Sequence, residues 1–156
     1  MEFVKGEIDG VSVVVKERHE DERGWLSELF RLDEMGKDLY PVMAYVSAAP
    51  PGAMRGPHVH GQQSDYFSFI MSSFKVFLWD QRKGSPTYMN KKTVVIDGKD
   101  TVCIVVPPGV VHAYKNTGEG NGLVVNFPNR LYGGWERKGP LDEIRHEGNP
   151  LYSVDE

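Results

Sequence analysis

Short runs of β-branched and aromatic residues recur along the chain, each bounded by turn signals. VSVVVK follows the Asp9-Gly10 pair, WLSELFR follows ERG, and VMAYVS precedes AAPPG. YFSFIM, FKVFLWD, KKTVVI, VCIVV, VVHAYKN and GLVVNF come later, separated by DG, PPG and TGEGNG. Runs of this length and spacing predict about nine or more strands in a β-sandwich or barrel. FKVFLWD is apolar on both alternating faces, with Phe74, Val76 and Leu78 on one and Phe77 and Trp79 on the other. Such a strand is expected to be covered on both sides, one cover coming from a second subunit. Two short helices are expected, RLDEMGKDL near 31–39 and GPLDEIRHE near 139–147, where Pro140 suits a first helical turn.

Composition narrows the class. A length of 156 residues suits a single domain over 1–156, and 40% hydrophobic with 26% charged residues is ordinary for a globular chain. The net charge of −4 gives no field for nucleic acid, so an anionic ligand has to meet a local basic cluster drawn from Arg23, Arg55, Arg82 and Arg130. The lone Cys103 lies in an apolar run and reads as a buried core thiol, which favours a cytoplasmic location. No apolar stretch approaches the roughly 20 residues that span a bilayer, and MEFVKGEIDG lacks a signal-peptide core, so no membrane partner is expected.

The chemistry-bearing residues form two motifs. From Gly52 the spacing is G-x5-H-x-H, ending on His58 and His60, with Asp65 five positions on; the second motif is Pro107-x-Gly109-x2-His112-x3-Asn116. Residues i and i+2 of a strand share a face, so His58 and His60 can converge, and the PPG turn brings His112 to face them. Two or three imidazoles and a carboxylate suit a divalent metal ion such as Zn²⁺, Fe²⁺, Mn²⁺ or Ni²⁺. An imidazole acting as a general base is the other reading, and buried histidines without chemistry the third.

These two motifs resemble those of the cupin superfamily, which implies a small antiparallel jelly roll with its site at the mouth. The first motif departs from the pattern at Asp65, where Glu is common, and at Ser72, where Gly is. A narrower resemblance rests on DERGWLSELFR, RGPH, WDQRKGSPTY, VVPPGVVHAYKN and VNFPNRLYGG, which occur in the order found in the dTDP-4-dehydrorhamnose 3,5-epimerase family. It implies a metal-independent isomerase, without cofactor, acting on a nucleotide-linked 4-keto-6-deoxy sugar. His58 would be the base and Tyr132 the acid on the opposite face. Arg23 and Glu28 would hold the nucleotide, with Arg55, His60, Asp65 and His112 also at the substrate. Asp155 would orient His58, with Asp142 a second candidate. The chain departs from the family where Asp65 stands in place of a lysine and Met43-Ala44-Tyr45 in place of a Q-x-N pair. RGPHVH also resembles the histidine pair of nucleotide-sugar 3,4-ketoisomerases. Inversion of C3 alone, inversion of C5 alone, and ketoisomerisation all stay open. So do a metal-dependent cupin oxygenase, decarboxylase or isomerase using His58, His60, Asp65 and His112, and a non-catalytic sugar-binding cupin. The family habit implies a cytoplasmic homodimer in polysaccharide or deoxysugar synthesis.

Overall fold

Alternation of apolar and polar positions resolves into two sheets packed face to face. The computed structural model describes residues 1–154. Its strands are β1 (Val4–Lys5), β2 (Ser12–Lys16), β3 (His19–Asp21), β4 (Gly24–Leu26), β5 (Tyr45–Ala49), β6 (Met54–Val59), β7 (Asp65–Ile70), β8 (Phe74–Asp80), β9 (Asn90–Ile96), β10 (Thr101–Val106), β11 (Val110–Asn116), β12 (Gly122–Asn126) and β13 (Ile144–Arg145). One sheet runs β1-β9-β8-β11-β6-β13, the other β2-β10-β7-β12-β5, and β3-β4 is a separate hairpin. From β5 to β8, and again from β9 to β12, successive strands switch sheets, which is the jelly-roll arrangement expected from the motifs.

Register places the core. Across the five-stranded sheet the inward row is Val102, Phe69, Val124 and Ser47, with Val15 at the edge of the same row left 62% exposed. Val102, Phe69 and Val124 pack in one core with Phe74, Val76 and Leu78 of β8 and Val110 and Tyr114 of β11. Phe69 and Leu78 are fully buried, each contributing about 2 kcal/mol of transfer free energy.

The opposite face of β8 is covered, as expected, and within the described residues the chain itself supplies cover. Phe77 and Trp79 join Val59, Val111, Ala113 and Tyr152, with Phe3 and Val154 packed against them. Tyr152 also donates its hydroxyl to Gln81 at 2.7 Å. The helical expectations are met only by 3₁₀ turns, Leu32–Glu34 and Lys37–Leu39, and the 139–147 segment holds no helix. There Ile144 and Arg145 pair with Val59 and His58 as an edge strand. Of WLSELFR only Trp25 and Leu26, in β4, are strand. Beyond it Phe30 stacks edge-on against Phe127 at 4.8 Å, and the Leu29 carbonyl accepts from the Tyr66 hydroxyl at 2.6 Å. This segment covers Cys103, which is buried beside Ser68 as expected of a core thiol.

Candidate active site

The strands that carry the two histidine motifs, β6 and β11, are neighbours, and His112 sits directly opposite His58. The register shifts between His112 and Tyr114, a bulge at the site itself. Gly56 makes the close approach possible. Its φ is +87°, and a Cβ there would lie 2.5 Å from the His112 carbonyl oxygen, so the residue before Pro57 has to lack one. His60 follows the end of β6, and Asp65 opens β7 in the other sheet. One ligand atom from each of His58, His60, Asp65 and His112 lies within 4.8 Å of all the others.

Asp65 is the centre of this cluster and is 1% exposed. Its Oδ1 accepts from the side-chain amides of Gln63 and Asn126, both at 2.8 Å. Its Oδ2 stands 3.2 Å from His60 Nε2 and 3.1 Å from His112 Nε2. The far nitrogens of both rings are tied to backbone: His60 Nδ1 donates to the Asp142 carbonyl, and His112 Nδ1 to the Val110 carbonyl at 3.1 Å. The Asp142 carboxylate in turn accepts from the backbone amides of Gly61, Gln62 and Gln63. The His58 ring differs. It stands edge-on to His112 at 4.4 Å and to His60 at 5.4 Å, and no described residue hydrogen-bonds it.

The electrostatics separate the histidines. Burial, followed by the neighbouring His112 and His60 rings, pulls His58 down to about 3, so it is neutral at physiological pH. Burial also works against charge on His60, but Asp65 outweighs it and holds that ring up at about 9. Burial would raise the Asp65 carboxyl, yet the His112 and His60 rings overcome it and keep the group well below the usual carboxylate range. Burial raises the Tyr45 hydroxyl, the neighbour of Asn126, to about 12.

Above the cluster opens a cavity of about 850 Å³ whose lining includes His58, His60, Arg55, Tyr45, Phe67 and Tyr132. That volume accommodates a ligand of several rings. Asp65 and His112 lie beneath its floor. Tyr132 is 52% exposed. Arg23 and Glu28 are not in this cavity: Arg23 sits on the exposed β3–β4 hairpin, paired with Asp21, and Glu28 lies 3.8 Å from Arg31. Arg130 does not line it either. Arg82 is committed to the buried Asp80 carboxylate, which also accepts from Ser85 and Thr87, so the GSPT motif braces a loop. Asp142 caps the 61–63 loop and does not reach His58 with its carboxylate. Asp155 lies outside the described residues. Sequence reasoning missed Trp135, Arg137, Glu143, Arg145 and Glu147, which line the cavity. It also missed Gln63 and Asn126, for which the H-x2-Q-x-D spacing after His60 was the available signal.

Comparison with known proteins agrees with this geometry. The chain is 34% identical over 113 residues to the probable low-salt glycan biosynthesis epimerase Agl13 of Haloferax volcanii, covering 72% of each protein. It is 30% identical over 125 residues to the spore coat polysaccharide biosynthesis protein SpsL of Bacillus subtilis, covering 80% of this chain and 82% of SpsL. The fold superposes with a TM-score of 0.79 on NovW, a 4-keto-6-deoxy sugar epimerase of Streptomyces spheroides, at 21% identity, over 99% of this chain and 78% of that one. The family described as dTDP-4-dehydrorhamnose 3,5-epimerase matches residues 5–132, and this chain belongs to it.

Proposed function

We propose that the protein inverts one or both of the carbons flanking the ketone of a nucleotide-linked 4-keto-6-deoxy sugar. The observation that carries this reading is the His58 ring, neutral, open to the cavity and without a described hydrogen-bond partner, while the neighbouring histidines are committed. A ketone acidifies the adjacent C–H bonds. His58 takes the proton, the C–H electrons form the enolate double bond, and negative charge moves to the ketone oxygen. Tyr132, in the same cavity, returns a proton from the opposite face and regains its own from solvent, while His58 releases the abstracted proton to solvent and is neutral again. Proton transfer of this kind needs no redox or organic cofactor.

The structure's hydrogen bonds favour epimerisation over 3,4-ketoisomerisation. A shuttle on one face would require His60 to take up and release protons, but both of its nitrogens already face protein acceptors. Arg55, Arg137 and Arg145 are the cations lining the cavity and are the candidates for the diphosphate. We further propose a cytoplasmic homodimer. The outward row of the five-stranded sheet, Val14, Cys103, Ser68, Val125 and Val46, is apolar at both ends, and Val46 is 63% exposed. Light scattering checks the dimer.

The test of function is incubation with dTDP-4-keto-6-deoxyglucose in D₂O, following deuterium at C3 and C5 by NMR. Wild type is expected to exchange at one or both carbons, and His58→Asn to lose at least about 10²-fold in rate. No exchange by wild type, while a family relative run alongside exchanges, overturns the substrate assignment.

A further inference from the structure

We propose that the Tyr45 hydroxyl is a catalytic hydrogen-bond donor to the ketone oxygen, holding the negative charge that develops there when His58 removes the neighbouring proton. This role rests on the epimerase reading above, whereas the direction of the hydroxyl does not.

That direction follows from the partners of Asn126. The backbone N–H of Tyr66 can only donate, so the atom that receives it at 3.0 Å is Asn126 Oδ1. The Asp65 carboxylate is ionised and can only accept, so the atom facing its Oδ1 at 2.8 Å is Asn126 Nδ2. The two ends of the amide therefore cannot be exchanged, and the second N–H of Nδ2 meets the Tyr45 oxygen at 2.9 Å. Tyr45 is the acceptor in that pair, and its own proton is unused. Among the described residues no other group hydrogen-bonds the Tyr45 hydroxyl. The side chain lines the cavity, so the O–H is left to a ligand there.

The strands put this donor within the site. Tyr45 and Ser47 share the inward face of β5, while Val46 between them faces out. β5 is an edge of the five-stranded sheet and His58 belongs to β6 of the other, so donor and base reach one cavity from different walls. The other groups near the base are committed. His60 has the Asp142 carbonyl and Asp65 on its two nitrogens, and Tyr114 is 4% exposed. Burial raises the Tyr45 hydroxyl to about 12 against the opposing bond from Asn126, so it keeps its proton and donates without transferring it. As His58 takes the C–H proton, the C–H electrons form the carbon–carbon double bond and the carbonyl π pair moves onto oxygen, which strengthens the Tyr45 contact. As Tyr132 protonates the carbon, the C=O bond re-forms and the contact relaxes. A donor whose bond strengthens only while charge is present lowers the barrier without tightening substrate binding. Asn126 also ties Tyr45 to Asp65, so two positions at which the chain departs from the family share one hydrogen-bonded chain.

Two measurements on the full-length protein separate this role from the reaction itself. In the first, dTDP-4-keto-6-deoxyglucose is supplied in D₂O, and both deuterium entry and inversion at C3 and C5 are followed by NMR. Tyr45→Phe should slow entry and inversion together by about 10²–10³-fold, with KM little changed. Tyr132→Phe should instead lose inversion while His58 still exchanges the proton from its own face. The second needs no turnover. The same substrate carrying ¹³C at C4 is bound to His58→Asn, where the carbonyl resonance should lie downfield of its position in the His58→Asn, Tyr45→Phe double variant, because accepting a hydrogen bond withdraws electron density from that carbon. A Tyr45 that only braces Asn126 would lower the melting temperature without moving this resonance. If Tyr45→Phe fails to fold by circular dichroism, 3-fluorotyrosine at position 45, a stronger donor that keeps the oxygen, should move the resonance further downfield. Equal resonances overturn the role, and so does a Tyr45→Phe that exchanges within about twofold of wild type. A Tyr45-dependent resonance without exchange by wild type overturns the epimerase reading and leaves the donor standing, and no binding of the sugar overturns both.

Discussion

Asp142 tests how the site is held in place, because it joins the C-terminal segment to the loop that carries the cluster. Its carboxylate accepts from Gly61, Gln62 and Gln63 at 2.7, 2.8 and 2.9 Å, and its own carbonyl fixes the His60 ring. Sheltered hydrogen bonds to a charged group contribute about 1.5–3 kcal/mol each. Gly61 and Gln62 are exposed, so water replaces part of the loss and about 1 kcal/mol per bond is the better figure. Asp142→Ala should then cost about 3 kcal/mol, and Asp142→Asn, which keeps one acceptor oxygen, about 2 kcal/mol. At about 2–4 °C per kcal/mol for a chain of this size, melting should fall by about 6–12 °C for Ala and about 4–8 °C for Asn. The exchange rate should fall as well, since misplacing a reacting group by about 1 Å costs on the order of 10²-fold. The pH dependence has a defined sign. Burial raises the Asp142 carboxyl, but the three amides outweigh it and lower the group. Its contribution is therefore full above the unfolded value, near about 3.9, and is lost as pH falls through the lowered folded value. The gap in melting temperature between wild type and Asp142→Ala should narrow below about pH 4. Calorimetric melts across pH decide the matter, and an Ala variant that melts within about 1 °C of wild type at neutral pH refutes the bracing role.

Gly56→Ala should cost about 1–2 kcal/mol for the left-handed backbone alone, and more because the added carbon meets the His112 carbonyl oxygen. Separation of β6 from β11 should lower the exchange rate more than the melting temperature, and an Ala variant with unchanged deuterium exchange contradicts that close packing. Asp80 is fully buried, and although burial raises its carboxyl, Arg82, Ser85 and Thr87 hold it well below the usual range. Asp80→Asn should destabilise by about 3 kcal/mol at neutral pH, read from urea unfolding. The same variant should be less sensitive to acid than wild type below about pH 4, because the wild-type carboxylate's stabilisation is present above the unfolded value and lost as pH falls.

What could be read from the sequence was what short-range chemistry dictates. Short β-branched and aromatic runs such as FKVFLWD and VCIVV, bounded by turn signals, give the strands, and H-x-H together with PPGxxH gives the convergence of three imidazoles, because strand period and a tight turn act over a few residues. What could not be read depends on segments far apart in the chain. The second cover over Phe77 and Trp79 is Tyr152, more than seventy residues away, and nothing local distinguishes that contact from a subunit interface. GPLDEIRHE has a helix-like start, yet Ile144 and Arg145 pair with β6 and Asp142 caps another loop, so tertiary hydrogen bonds override propensity.

Asp65 shows the limit most clearly. As a sequence position it is an acid standing where the resemblance implies a cation, and alone it would oppose the enolate. In the fold its Oδ1 is held by Gln63 and Asn126, and its Oδ2 faces two ring nitrogens. A buried carboxylate in that setting favours positive charge beside it, and on the epimerase reading proposed above that charge stands at the cavity floor, where the resemblance implies a lysine. On that reading a cluster, and not one side chain, carries the cationic function. A single unpaired acid in a motif cannot be judged for or against catalysis until the partners of each of its oxygens are known.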